Sequence, residues 1–256
     1  MNRLPISTGN DARQDGLIGP ASWVSQLPGS SGLLPRYSLF APLHYERNYA
    51  YPLIVWLHGP RDNEHQLRRI MPLVSLRNYA AIGPRATNGH GDDTPGFYWG
   101  AHAAAVSAAE RSVLDCVEVA QQRFNVDPRR IFLAGYDCGG TMAFQVGLRH
   151  PELFAGVISL GGAFPAGRMM LSGLAQIRRL PLFITQGRDA AGYSVDQLCE
   201  DLRLFHTAGL SVTVRQYPCG DELTTKMLQD LDFWLMEQIT GQKQSPPEVP
   251  VLDDRN

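Results

Sequence analysis

A chain of 256 residues with 44% hydrophobic and 19% charged side chains can bury one large core and has the polarity of an ordinary soluble domain. Its formal net charge of −2 offers no electrostatic attraction for nucleic acid or an anionic membrane. No apolar run approaches the roughly 18 residues of a membrane span. The opening MNRLPISTGNDARQDG has no apolar signal core, and the four cysteines (Cys116, Cys138, Cys199, Cys219) are too scattered for a zinc or disulfide framework. A cytoplasmic protein without metal or other cofactor is the expectation.

Residues 1–35 are rich in Gly, Ser, Asn, Asp and Pro and read as a loose lead-in or wrapping arm in which only WVSQL around Trp23 can pack. A domain over 36–240 follows. Residues 37–43 (YSLFAPL) form a first strand, and 52–58 (PLIVWLH) a strand apolar on both faces, as central parallel strands are. A loop over 59–64 leads to a helix near 65–74 and a short strand at 79–84. Residues 85–100 make a glycine-rich loop carrying Phe97, Tyr98 and Trp99, and 103–124 a long helix of good helix formers. After Asp127-Pro128 the chain restarts as a strand over 130–134.

Beyond this point, 141–150 is a helix, 155–160 a strand, 161–173 a crossover and 181–186 a strand. Residues 195–206 form a helix, and 211–217 alternate like a strand nearer the edge. The closing helix over 223–239 repeats Met227, Leu228, Leu231, Trp234 and Leu235 at core spacing. The Pro-rich segment 241–256 is expected to be disordered. Strands alternating with helices predict an α/β protein with one mostly parallel sheet covered by helices on both faces.

The stretch RIFLAGYDCGGTM, residues 130–142, organises this pattern. A strand turning into a helix around G-x-[residue]-x-G, here Gly135 to Gly139, is the nucleophile elbow of an α/β-hydrolase. Its central residue is Asp137, where a serine hydrolase needs serine.

With LHG at 57–59, NEH at 63–65, VDPRRIFLAGYDCGG at 126–140, HPELFAGVISLGG at 150–162, Gln186-Gly187 and VTVRQYP up to Gly220, the chain resembles the phospholipase/carboxylesterase family, which includes acyl-protein thioesterase-like enzymes. The resemblance covers residues 37–240 and implies a Ser-Asp-His triad that hydrolyses short acyl esters or thioesters. Carried onto this sequence, the nucleophile position is Asp137, the imidazole position Asp221 and the acid position Ala190, with Asp189 one place early. The oxyanion loop is Gly59, Pro60 and Arg61, with Cys138 as the second donor position. The acyl site lies around Phe97, Tyr98 and Trp99.

The three triad positions and Pro60 depart from the chemistry they would serve, whereas the Cys138 N–H can still donate. Asp137 has no hydroxyl to acylate, Asp221 is no base for one, and Ala190 cannot orient an imidazole. Pro60 has no N–H to donate. The expectation is therefore a non-catalytic binding or scaffold protein that retains a small apolar or acyl ligand. The alternative is a hydrolase of esters, thioesters or epoxides using Asp137 as nucleophile or metal ligand. An aspartate nucleophile needs a histidine to activate water. His58 reads as structural and His150 and His206 as remote, which leaves His90 and His102. Asp137 and Asp221 should cluster with Cys138 and Cys219, so that either one carboxyl is protonated or a cation, Arg61 or Arg188 or a divalent metal, sits between them.

Overall fold

Apolar, β-rich segments punctuated by helix formers build the observed sheet. The computed structural model describes Trp23–Ser25 and residues 36–89, 96–165 and 173–242. In chain order the elements are β1 (Trp23–Ser25), β2 (Tyr37–Phe40), β3 (Tyr51–Leu57), α1 (Gln66–Val74), β4 (Ala80–Pro84), β5 (Asn88–Gly89), β6 (Phe97–Tyr98) and α2 (Ala103–Arg123). There follow β7 (Val126–Tyr136), α3 (Cys138–Gly147), β8 (Gly156–Leu160), α4 (Leu174–Ile177), β9 (Leu182–Gly187), α5 (Val195–Ala208), β10 (Val212–Tyr217) and α6 (Thr225–Thr240).

Among the described residues eight strands form one sheet in the order β1-β2-β4-β3-β7-β8-β9-β10. The β1–β2 and β2–β4 pairs are antiparallel and the remaining neighbours are parallel. Two-residue periodicity divides the strand side chains between two cores. Leu53, Val55, Leu133 and Ile184 face Val113 and Val117 of α2, Phe144 of α3 and Phe205 of α5. Ile54, Trp56, Phe132 and Phe183 face Leu67 and Met71 of α1 and Leu231, Trp234 and Leu235 of α6. Both faces are covered, as a parallel sheet requires. Among the described residues no helix is long and apolar enough to cross a membrane.

The structure changes several boundaries. The expected lead-in contributes β1, which pairs Trp23 with Phe40 and adds an antiparallel edge. β7 begins at Val126, because a register shift between Tyr51 and Leu53 absorbs Asp127-Pro128 where a break was expected. The aromatic loop contains the small β5–β6 ladder and the crossover contains α4. α6 starts later than its apolar pattern, capped by Thr224, whose side chain accepts the Met227 N–H at 3.3 Å. Of the segment 241–256 expected to be disordered, residues 243–256 lie outside the described part.

Candidate active site

Because the central strands run parallel, the loops after β3, β7, β9 and β10 all emerge at the same, carboxyl edge of the sheet. β7 lies between β3 and β8 and passes into α3 through Asp137 alone. Asp137 has φ 51° and ψ −119°, a left-handed conformation that a side chain adopts only under strain. Two glycines make the turn possible. A Cβ at Gly135 would lie 2.2 Å from the Gly139 carbonyl oxygen, and one at Gly139 would lie 2.3 Å from that of Leu57. The elbow expected at Gly135–Gly139 is thus the observed turn. Its backbone is tied by the Asp137 N–H to Leu160 O (2.9 Å) and the Thr141 N–H to Asp137 O (3.0 Å).

The Asp137 carboxyl is half-buried. Burial holds its pKa above the usual carboxylate value, the adjacent Cys138 N–H opposes that shift, and the charge of Asp221 adds to it. Asp137 and Asp221 are thus electrostatic neighbours. The Asp221 side chain, though, points its hydrogen-bonding capacity elsewhere. It accepts the N–H groups of Ala191 (3.1 Å) and Gly192 (3.0 Å), so it clasps the loop after β9. The Asp221 main-chain oxygen accepts the Tyr136 hydroxyl, whose pKa burial pushes up to about 12. Ala190, where the acid was expected, has a methyl side chain and donates its N–H to Gly187 O at 3.0 Å.

The expected cation is not found between the carboxylates. Among the described residues Arg61 makes no ion pair, and it is an exposed residue in a left-handed conformation, φ 59°. Arg188 lies beside Asp189 at 3.7 Å. The reason is local: two loop amides already engage the Asp221 carboxylate, and burial penalises the charge on Asp137. Among the described residues no group of three or more His, Cys, Asp and Glu is placed to hold a metal ion.

On the oxyanion side, the Gly59 N–H donates to Gln66 Oε1 at 3.1 Å, an oxygen that also accepts Trp56 Nε1–H at 2.8 Å. Pro60 has no N–H to offer, and the Asp62 carbonyl takes the Phe97 N–H at 2.8 Å. The half-buried thiol of Cys138 is pushed up to about 11 by burial and is a poor source of thiolate.

Among the described residues no hydrogen bond or ion pair joins an imidazole to Asp137. His58 is buried. Its Nδ1 donates to Gly59 O (2.7 Å) and its Nε2 accepts the Ala86 N–H (3.1 Å), while burial lowers its pKa and keeps it neutral. His102, one of the two that could have reached inward, caps α2 by accepting the Ala105 N–H at 3.2 Å. His150 meets Glu110 at 2.7 Å and His206 sits in the last turn of α5. His90 lies outside the described residues.

The aromatic positions divide. Trp99 is buried, donates Nε1–H to His58 O at 2.9 Å and packs on the His58 ring at 5.3 Å. Phe97 lies under the Arg85 guanidinium at 4.6 Å, and Tyr98 is exposed. Sequence reasoning missed Gln66 and Tyr136. A lone buried glutamine opening an otherwise apolar helix face was the available signal for the first. The aromatic residue preceding Asp137 was the signal for the second.

The model of the family described as Esterase PHB depolymerase matches residues 36–181, more than half of the chain. Among solved structures, Arabidopsis thaliana SOBER1 superposes with a TM-score of 0.62 at 19% identity, covering 74% of this chain and 100% of its own. The Bacillus cereus carboxylesterase gives 0.64 at 16% identity, over 81% of this chain and 96% of its own. An S-formylglutathione hydrolase (FrmB) from Staphylococcus aureus gives 0.65 at 14%, over 85% and 98%. At such identities these structures establish the fold, and the family match adds lineage: the chain belongs to the Esterase PHB depolymerase family of α/β-hydrolases.

Proposed function

We propose that this α/β-hydrolase is a non-catalytic binding or scaffold protein that keeps the esterase frame without its serine mechanism. The observation carrying this reading is the pair of carboxylates at the nucleophile and imidazole positions. Asp137 stands at the strained elbow, and Asp221 spends its carboxylate on two loop amides. Acyl transfer needs a hydroxyl made nucleophilic by a base, and neither group supplies either function. The Gly59 N–H is already bonded to Gln66, and Pro60 weakens the oxyanion hole further. Losing one such donor costs about 10²–10³ in turnover. A small acyl or apolar molecule is the ligand class the fold would hold.

One observation favours a second reading, an aspartate nucleophile acting on esters, thioesters or epoxides: the backbone strain that presents a nucleophile is retained at Asp137. The same test decides between them. Purified protein should show no labelling by a fluorophosphonate and no turnover of p-nitrophenyl acyl esters, thioesters or epoxides above background. Turnover abolished by Asp137→Ala would overturn the non-catalytic reading in favour of the second. Asp137→Ser combined with Asp221→His should bring fluorophosphonate labelling if the frame is intact.

A further inference from the structure

At the amino edge of the sheet, away from the elbow, the start of β3, the end of α1 and the end of α6 surround a depression of about 260 Å³. Tyr49, Tyr51, Arg77, Met236 and Ile239 line it, with Glu46. Tyr49 is 48% exposed and packs edge-on against Tyr51 at 4.7 Å, so an aromatic wall faces solvent. Leu73 and Leu76 nearby are also more than two-fifths exposed. Among the described residues neither Arg77 nor Glu46 has an ion-pair partner.

The described chain leaves α6 beside this depression. Ile239 lines it, and Gly241 caps the helix in a left-handed conformation. The next fourteen residues, 243–256, read KQSPPEVPVLDDRN. Pro246, Pro247 and Pro250 with Val249, Val251 and Leu252 make a segment of the kind that aromatic-lined grooves take up in the polyproline conformation. Its charges complement the rim. Lys243 precedes the segment as a partner for Glu46, and Asp253 and Asp254 end it as partners for Arg77, with Glu248 between them. At roughly 3.1 Å per residue, the seven residues 243–249 span about 20 Å, ample to cross the depression from Ile239. Tethering so close also raises the effective concentration of the segment far above that of a free peptide.

We propose that residues 246–254 of the same chain dock in the Tyr49–Tyr51–Arg77 depression. This stands independently of any catalytic role, because the depression is at the edge of the sheet away from Asp137.

Lys243 is one of two lysines in the sequence, and the other, Lys226, lies within α6 in an ion pair with Asp230 at 3.0 Å. A lysine-specific protease therefore reports on the segment through cleavage after Lys243 in the full chain. Replacing Pro246, Pro247 and Pro250 by Gly leaves every described residue intact, and should speed cleavage about five-fold, because cleavage follows the undocked population. Arg77→Glu should speed it about three-fold, and adding Asp253→Arg with Asp254→Arg should restore the parent rate. Equal rates for parent and the proline variant would overturn the docking. A parent rate that rises on dilution would place the segment on a second copy and overturn the intramolecular form.

Discussion

At Asp137 a conformation suited to glycine carries a half-buried carboxyl. Both features cost stability, and they separate experimentally. Asp137→Ala removes the charge and keeps the strain, whereas Asp137→Gly relieves both. The glycine variant should therefore be the more stable of the two by about 1 kcal/mol in urea unfolding, the scale of strain for a side chain at positive φ. The pH dependence has a definite sign. Burial raises the folded-state pKa, so the favourable contribution is complete below the ordinary carboxylate pKa and is lost as pH rises through the raised value. Asp137→Asn should consequently gain on the parent at neutral pH, by an amount on the order of 1 kcal/mol or less, and the gain should vanish under acid conditions. A gain that is the same at every pH would rule out the buried carboxyl as its cause.

At the scale of elements, loops that a triad would join by its own hydrogen bonds are joined differently. Asp221 holds the loop after β9 through Ala191 and Gly192, and Tyr136 holds the turn of Asp221. In Asp221→Ala, hydrogen exchange at Ala191 and Gly192 should accelerate while the amides of β7 keep their protection; unchanged exchange would show that the clasp has no effect.

The oxyanion side has its own anchor. Arg85, after β4, grips Glu64 ahead of α1 at 2.5 and 2.6 Å, and Glu64 is buried. Burial alone would raise the Glu64 pKa, yet pairing with Arg85 holds it below the usual value. Its stabilising contribution is therefore present above the ordinary carboxylate pKa and disappears as pH falls through the lowered one. Arg85→Ala should cost about 3 kcal/mol at neutral pH, the scale for leaving a buried charge unpaired. The deficit should shrink in acid, as followed by denaturant unfolding across pH. Since Arg85 also covers Phe97, the aromatic loop should loosen in the same variant.

At the scale of the whole molecule, the family match ends at residue 181, within the crossover to β9. The remaining sheet supplies β9, β10 and the turn bearing Asp221, and α6 fastens that half to the first. Trp234 does so directly, with ring centroids 6.3 Å from Phe132 on β7 and 5.4 Å from Phe183 on β9. Trp234→Ala should cost about 3–5 kcal/mol. The loss should appear in one cooperative transition, because Trp234 touches strands from both halves. Two separate transitions by circular dichroism would show that the halves are stable independently.

Much of this arrangement was legible in the residue order. Alternating apolar strands and helix formers identify a covered parallel sheet, since burial on both faces demands continuous apolar runs such as residues 53–57. Gly135 and Gly139 around one residue identify the elbow, because only there must a strand and a helix backbone come so close. The identity of Asp137 was likewise visible, as were Asp221 and Pro60 once the resemblance placed them. What the order of residues could not contain is where each polar group spends its hydrogen bonds. Arg61 was a reasonable counter-ion by charge alone, yet the amides of Ala191 and Gly192 serve Asp221 from a loop thirty residues earlier. His102 was a possible base until the start of α2 used its ring as a cap. Trp99 gives its N–H to the carbonyl of His58, forty-one residues earlier, a partner its own segment does not announce. Local pattern determines which face of an element is buried, whereas the partners of a polar side chain depend on distant segments that only the folded chain brings within about 3 Å.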